Sequence, residues 1–312
     1  MPELPEVETV RRGLEKYVVG LTLEKVEIVN TGIFEGDAKL VEGAKIIAAR
    51  RSGKGLILDF SNKFSLAIHI KLTGQLIYRD ESLKDTPVSA QKVGTVPNKF
   101  THVIFHFTCH PELFSHSERS EESKRSFVKT QDDKGNRATL YYNDQRRFGW
   151  IRVVKASEIM EMPFFKTMGP EPFGLGTGEE LTLEKFGKIL AGKTTKIKPF
   201  IMDQTKIGGI GNIYANDALF DAKINPSRPA KSLSEKEIKQ LFDSIIKVLK
   251  KSFEVGGASE LTFVNILGQE GGYQNHSLVY GKTGKQCPRG DGVIERITLA
   301  GRGTFFCKNC QH

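Results

Sequence analysis

Met1-Pro2-Glu3-Leu4-Pro5-Glu6-Val7-Glu8-Thr9-Val10-Arg11-Arg12-Gly13-Leu14 opens the chain, and it carries both a structural and a chemical reading. Val7, Val10, Leu14 and Val18 recur at helical spacing. Glu6 and Glu8 fall in the first turn, Arg11, Arg12 and Lys16 follow, and Gly20 closes the pattern, so a helix is predicted over 5–18. The chemical reading begins at Pro2. Its side chain is small, so loss of Met1 is expected and would leave a secondary amine as the terminus, with Glu3 and Glu6 close behind. An α-amino group titrates near pH ~8, which leaves a useful neutral fraction at physiological pH. A secondary amine that attacks an aldehyde carbon forms an iminium ion, a strong electron sink, and a nearby carboxyl can supply the acid or base. Alone, these residues describe an acidic, proline-led helix start better than a nucleophile. The rest of the chain shifts that balance.

The sequence has 312 residues, enough for two or three domains, with 38% hydrophobic and 27% charged residues. No apolar run approaches the ~18 residues of a membrane span, and no leader is legible, so no membrane association and a cytoplasmic location are expected. Lys and Arg number 46 against 37 Asp and Glu, a formal charge of +9. Such an excess favours a polyanionic partner, nucleic acid being the commonest. Three of the four cysteines, Cys287, Cys307 and Cys310, sit near the C-terminus, which suggests a metal site rather than a disulfide scaffold.

Beyond the first helix, short Ile-, Val-, Leu-, Phe- and Tyr-rich runs at 23–29, 45–50, 56–60, 65–70, 75–79, 101–107, 138–142 and 150–154 are separated by Gly, Asn, Asp or Ser. That count and spacing predict a two-sheet sandwich or barrel. The charged, Ser-rich interval 109–136 has no useful period and reads as a mobile insertion. Prolines and glycines over 156–177 mark a linker. Helical periodicity then takes over, and Ser234-Glu235-Lys236-Glu237 is a capping box before a long amphipathic helix. The expectation is an α+β multidomain chain: a leading helix plus β-sandwich over 1–155, a linker over 156–177, a helical domain over 178–277, and a cysteine-bearing hairpin over 278–312.

Four constellations carry candidate chemistry. In Gly208-Gly209-Ile210-Gly211-Asn212, glycines precede a helix start, the pattern of a phosphate site, and Lys193, Lys196 and Lys198 add a basic rim. Asp144-Gln145-Arg146-Arg147-Phe148-Gly149 sits at a strand end, where arginines can hold phosphates and Phe148 can wedge into a base stack. Lys54 lies between glycines before a strand, and Leu72 follows His69-Ile70-Lys71 at a turn. Cys307-Lys308-Asn309-Cys310 is a complete zinc knuckle, whereas Cys287-Pro288-Arg289-Gly290 is half of one, which leaves Asp291, His312 or water as a fourth ligand.

In this order the pieces resemble the formamidopyrimidine-DNA glycosylases, bifunctional repair enzymes for oxidised purines. The opening run, Asp144 to Gly149, Gly208 to Ala215, Val279-Tyr280-Gly281 and Gly301-Arg302-Gly303-Thr304-Phe305-Phe306-Cys307 carry the likeness. The resemblance implies an N-terminal β-sandwich, a helix–two-turns–helix domain and a C-terminal zinc hairpin, acting as a monomer on double-stranded DNA. It implies Pro2 as nucleophile at C1′ of the damaged nucleotide, Glu3 as the assisting acid and Glu6 as its support. Lys54 is implied in proton donation around β-elimination and Arg302 in δ-elimination. Lys193, Arg146, Asn212 and His69 become DNA-backbone contacts, and Leu72, Arg146 and Phe148 fill the gap left by an extruded base. The loop ending at Tyr273 becomes the lesion reader. Three positions depart from the family pattern: Leu72 stands for Met, Phe100 for His, and Gly290 for the fourth zinc cysteine. The rival readings are an endonuclease VIII-like enzyme for oxidised pyrimidines and a catalytically silent DNA binder.

Overall fold

The computed structural model describes residues 2–108, 137–174, 176 and 178–312; the interval 109–136 read as an insertion lies outside them. Helix α1 spans Leu4–Tyr17, and the Glu3 N–H that precedes it donates to the Glu6 carboxylate at 2.7 Å. Among the described residues nine strands follow: β1 (Thr22–Ile28), β2 (Phe34–Glu35), β3 (Ile46–Ser52), β4 (Gly55–Phe60), β5 (Phe64–His69), β6 (Gly74–Asp80), β7 (Thr101–Thr108), β8 (Arg137–Asp144) and β9 (Trp150–Lys155). They form one sheet of order β1-β7-β8-β6 and another of order β2-β9-β5-β4-β3. Leu23, Phe105, Leu140 and Leu76 of the first sheet share one core with Leu56, Leu66 and Ile151 of the second, so the expected sandwich is present. Val7, Val10 and Leu14 of α1 join that core.

The centre of the second sheet is buried on both faces: β4 is buried at every position and β5 at all but its first. Its outer face meets Ile159 and Phe165, the latter from helix α2 (Pro163–Lys166). Part of the stretch read as a linker is therefore packed structure. The two-residue strand β2, which runs parallel to β9, is too short to leave a period and was not foreseen.

The second domain is helical: α3 (Leu183–Leu190), α4 (Ile197–Ile201), α5 (Asn212–Asp221) and α6 (Glu235–Glu254). The capping box forms as read, with the Ser234 N–H donating to Glu237 at 2.8 Å. Eight consecutive residues of α5, Ile213 to Phe220, are buried, so this helix is the axis of the domain rather than a surface element. Strands β10 (Glu295–Leu299) and β11 (Arg302–Phe306) close the chain as an antiparallel hairpin. Ala300 and Gly301 at its tip both take positive φ, at 47° and 71°, the geometry of a tight hairpin turn.

Asp217 joins α5 to the segment leading into this hairpin. Its buried carboxylate accepts N–H groups of Leu278 and Val279 at 2.9 Å and Tyr280 at 3.1 Å, and the Tyr273 hydroxyl at 3.0 Å. Removing it strands several buried donors at once. Asp217→Ala should cost about 3–5 kcal/mol in a urea unfolding curve followed by circular dichroism. A loss below about 1 kcal/mol would mean that water replaces the carboxylate without penalty.

Candidate active site and nucleic-acid interface

The first residues of the chain lie where the two domains meet. Pro2 and Glu3 are buried. Leu4 packs into the helical-domain core, while Val7 onward belongs to the sandwich core, so α1 staples the two together. The Glu3 carboxylate accepts the N–H of Gly211 and of Ile213, each at 2.8 Å. It thereby caps α5 from another part of the chain. The glycines ahead of α5 serve this contact. A Cβ on Gly211 would lie 2.4 Å from the Glu3 carboxyl carbon, and one on Gly209, at φ +92°, would lie 2.8 Å from Leu4. The N-terminal N–H groups read as a phosphate site are thus taken by the chain's own carboxylate.

Glu6 sits directly behind. It accepts the Ala258 N–H at 2.7 Å and a short hydrogen bond from the Tyr214 hydroxyl. Burial, reinforced by the neighbouring Glu3 charge, pushes its carboxyl up to about 7. Glu3 is raised too, by burial acting against the Lys54 charge and its backbone donors. Lys54 is no exposed hairpin tip. It is 4% exposed, its ammonium donates to the Ile210 carbonyl at 3.0 Å, and burial pulls it down to about 8 against the pull of Glu3 and Glu6. Two carboxyls and an amine, coupled to one another around Glu3, are therefore all shifted towards their neutral forms, as acid–base chemistry near pH 7 requires.

The turn that carries Lys54 is locked by residues that sequence reading missed. Arg51, fully buried, meets Glu8 of α1 at 3.1 Å and Glu171 at 2.5 Å, and Glu171 also accepts the Gly53 N–H at 2.6 Å. Glu171 lies between Pro170 and Pro172 in the supposed linker, and a lone acid between prolines was its only local signal.

On the open side, Phe148 is 51% exposed, and the Arg146 guanidinium stands 4.7 Å from its ring centre. The Arg146 backbone N–H donates to Thr73 at 3.0 Å and to Asp144 at 3.1 Å, which fixes the loop. Leu72 is half-buried on the adjoining turn, and Arg147 has φ +55°. His69 is buried, and its Nδ1 accepts the Lys71 N–H at 2.9 Å. Burial and the charges of Lys71 and Lys54 hold it neutral, down at about 3. Its Nε2 then carries the proton and is the only donor it can offer DNA. Lys193 and Arg302 are exposed, whereas Lys198, read as part of a basic rim, is buried. Tyr273 is also a correction to the expected layout. It is 1% exposed with its hydroxyl bonded to Asp217, so it anchors the loop that it ends instead of facing a base.

Cys287, Cys307 and Cys310 converge with all sulfurs within 4.8 Å, and Cys287 Sγ lies 3.8 Å from Cys310 Sγ. A tetrahedral zinc with Zn–S of about 2.3 Å has an edge of about 3.8 Å, so these donors fit that ion. Gly290 offers no donor, and among the described residues neither Asp291 nor His312 joins the cluster.

The chain matches three family profiles: the formamidopyrimidine-DNA glycosylase N-terminal domain over residues 1–151, the H2TH domain of the same enzyme over 168–264, and a zinc finger found in that enzyme and in IleRS over 284–312. The formamidopyrimidine-DNA glycosylase of Lactococcus lactis is 37% identical over all of this chain and 99% of its own length. That of Lactiplantibacillus plantarum is 35% identical over 98% of both. The chain belongs to the formamidopyrimidine-DNA glycosylase family. Among solved structures, complexes of the Lactococcus lactis enzyme with DNA containing an oxidised pyrimidine and with abasic-site DNA each align at 33% identity and TM-score 0.78, over 99% of both chains. Members of this family are DNA glycosylases with abasic-site lyase activity.

The raised Glu6 has a stability consequence. Between about pH 4.5 and 7 the unfolded chain loses a proton that the folded chain retains, so stability falls as pH rises through that window. Relative to wild type, Glu6→Gln should lose a pH-dependent component on the order of 3 kcal/mol. Urea titrations of both proteins between pH 4.5 and 8 measure it, and parallel curves would contradict the assignment.

Proposed function

We propose that this base-excision-repair glycosylase removes oxidised purines, 8-oxoguanine and formamidopyrimidines, from double-stranded DNA with Pro2 as nucleophile. What carries the reading is that Pro2 directly precedes Glu3, a buried carboxyl raised by desolvation and electrostatically coupled to Glu6, at about 7, and to the Lys54 amine, at about 8. The Pro2 nitrogen, freed by loss of Met1, bonds to C1′ as the glycosidic bond breaks and the base leaves with a proton. Glu3, its proton affinity raised by burial, assists that departure and the opening of the sugar ring. The resulting iminium draws electrons, so loss of a C2′ proton expels the 3′ phosphate, and a second elimination expels the 5′ phosphate. Lys54 exchanges protons in the first elimination, and Arg302 acts in the second. Glu6 holds Glu3 in place through the Glu3 N–H.

Arg146, Lys193, Asn212 and His69 bind the DNA backbone, while Leu72, Arg146 and Phe148 occupy the space of the extruded nucleotide. Tyr273 acts by holding the lesion-reading loop. Zinc, held by Cys287, Cys307 and Cys310, supplies a structural crosslink at the base of the hairpin that bears Arg302. The protein acts as a monomer in the cytoplasm.

Borohydride trapping on a duplex with one 8-oxoguanine should link wild type covalently to DNA. Pro2→Gly should cut trapping at least ~100-fold while it keeps salt-sensitive DNA binding. A fully active Pro2→Gly, or Met1 retained on the trapping-competent protein, would refute the nucleophile. Turnover confined to oxidised pyrimidines would replace the purine assignment with the endonuclease VIII-like one. Protein purified without chelator should contain about one zinc per chain, and chelation should lower its melting temperature. A metal-free preparation with the same melting temperature would exclude the crosslink.

A further inference from the structure

Lys198 of α4 is a buried cation that the chemistry above does not use. Its side chain is 1% exposed, and among the described residues no carboxylate lies within ion-pair distance. Three neutral acceptors surround its ammonium: Asn212 Oδ1 at 2.7 Å, the Gly303 carbonyl at 2.9 Å and Thr304 Oγ1 at 2.7 Å. An ammonium has three donors, and all three are used. One points to the first residue of α5 and two to β11, immediately after Arg302.

The arrangement continues on both sides. The Thr304 hydroxyl donates to the Arg302 carbonyl at 3.2 Å. Asn216, one turn along α5, donates to the Asn212 carbonyl at 2.6 Å and accepts the Phe305 N–H at 2.8 Å. Two rungs thus join α5 to β11, the Lys198 rung at the end nearer Arg302.

We propose that Lys198 is a positioning residue for the second strand cut: it docks the hairpin against α5 so that Arg302 reaches the sugar left by the first elimination. The proposal rests on the glycosylase–lyase reading above. Burying a cation costs free energy; burial pulls the Lys198 pKa down to about 7, with Glu3 acting against the fall and Arg302 adding to it. A methionine would fill the same space without that cost, so the charge is retained for its three directed bonds.

The test compares wild type, Lys198→Met, Lys198→Arg and Thr304→Val on a duplex with a single abasic site. Borohydride trapping and the ratio of δ- to β-elimination products are measured, and melting temperatures confirm folding. Lys198→Met should keep trapping within about threefold of wild type while the δ/β ratio falls roughly tenfold. Lys198→Arg should restore part of the ratio, and Thr304→Val should lower it in the same direction. An unchanged ratio in a folded Lys198→Met overturns the proposal, and so does a loss of trapping in step with the ratio. If Lys198→Met fails to fold, Thr304→Val decides alone: a wild-type ratio there overturns the proposal. Failure of wild type itself to trap would strike the underlying reading instead, so the two failures are distinguishable.

Discussion

The carboxylate of Glu3 on the N-terminus of α5 is the contact on which the rest of the architecture depends. It is a helix cap supplied from about 210 residues away in sequence, which ties the start of the chain to the axis of the other domain. Through it, the position of Pro2 is set by α5 rather than by a flexible terminus. The contact also explains the glycines, since any Cβ at Gly211 would displace the carboxyl group. The same acid is useful chemically because two opposing effects act on it. The α5 donors and Lys54 favour the charged form and burial disfavours it, and burial prevails. Burial thus leaves this carboxyl holding its proton more tightly than a free one would.

Much of the fold was legible because local patterns matched local structure. The sandwich strands alternate or run continuously apolar according to whether one or both sheet faces are covered, and the α6 capping box was readable letter by letter. The glycine-rich approach to α5 was legible as a crowded helix start but not as to what crowds it. A phosphate and a carboxylate make the same demand on the backbone, small residues and unpaired N–H groups, so local sequence does not discriminate between them. Tyr273 and His69 show the same limit. Aromatic and imidazole side chains suit both a DNA face and a core, and only Asp217 and the Lys71 N–H reveal which environment each has.

The clamp of Arg51, Glu8 and Glu171 was illegible for a different reason. Its members are 43 and 120 positions apart, and nothing in the neighbourhood of any one names the others. Its consequence is nevertheless local, because it fixes the Gly53–Lys54 turn against α1. Buried charge networks of this kind contribute little net stability, since desolvation offsets most of the attraction. They do impose one geometry, which is the property required of a lysine that must stay in register with Glu3.

The absent cysteine at Gly290 becomes understandable once α5 is taken as the axis. Its N-terminus is held by the Glu3 carboxyl group, and its middle by Asp217 reaching into the approach to the hairpin. At its C-terminus the Arg289 guanidinium donates to the Phe220 carbonyl at 2.8 Å and the Asp221 carbonyl at 3.0 Å, and lies 4.2 Å from the Phe220 ring centre. A carboxyl at the start accepts otherwise unpaired N–H groups, and a positive charge at the end suits the helix dipole. The same guanidinium approaches Cys310 Sγ at 3.6 Å, so the residue beside the missing ligand bonds the metal-binding knuckle directly to α5. Asp217 thus fixes the approach to the hairpin, Lys198 fixes β11 and Arg289 fixes the cysteine knuckle, so contacts of the protein itself hold this segment against α4 and α5 at three separate points.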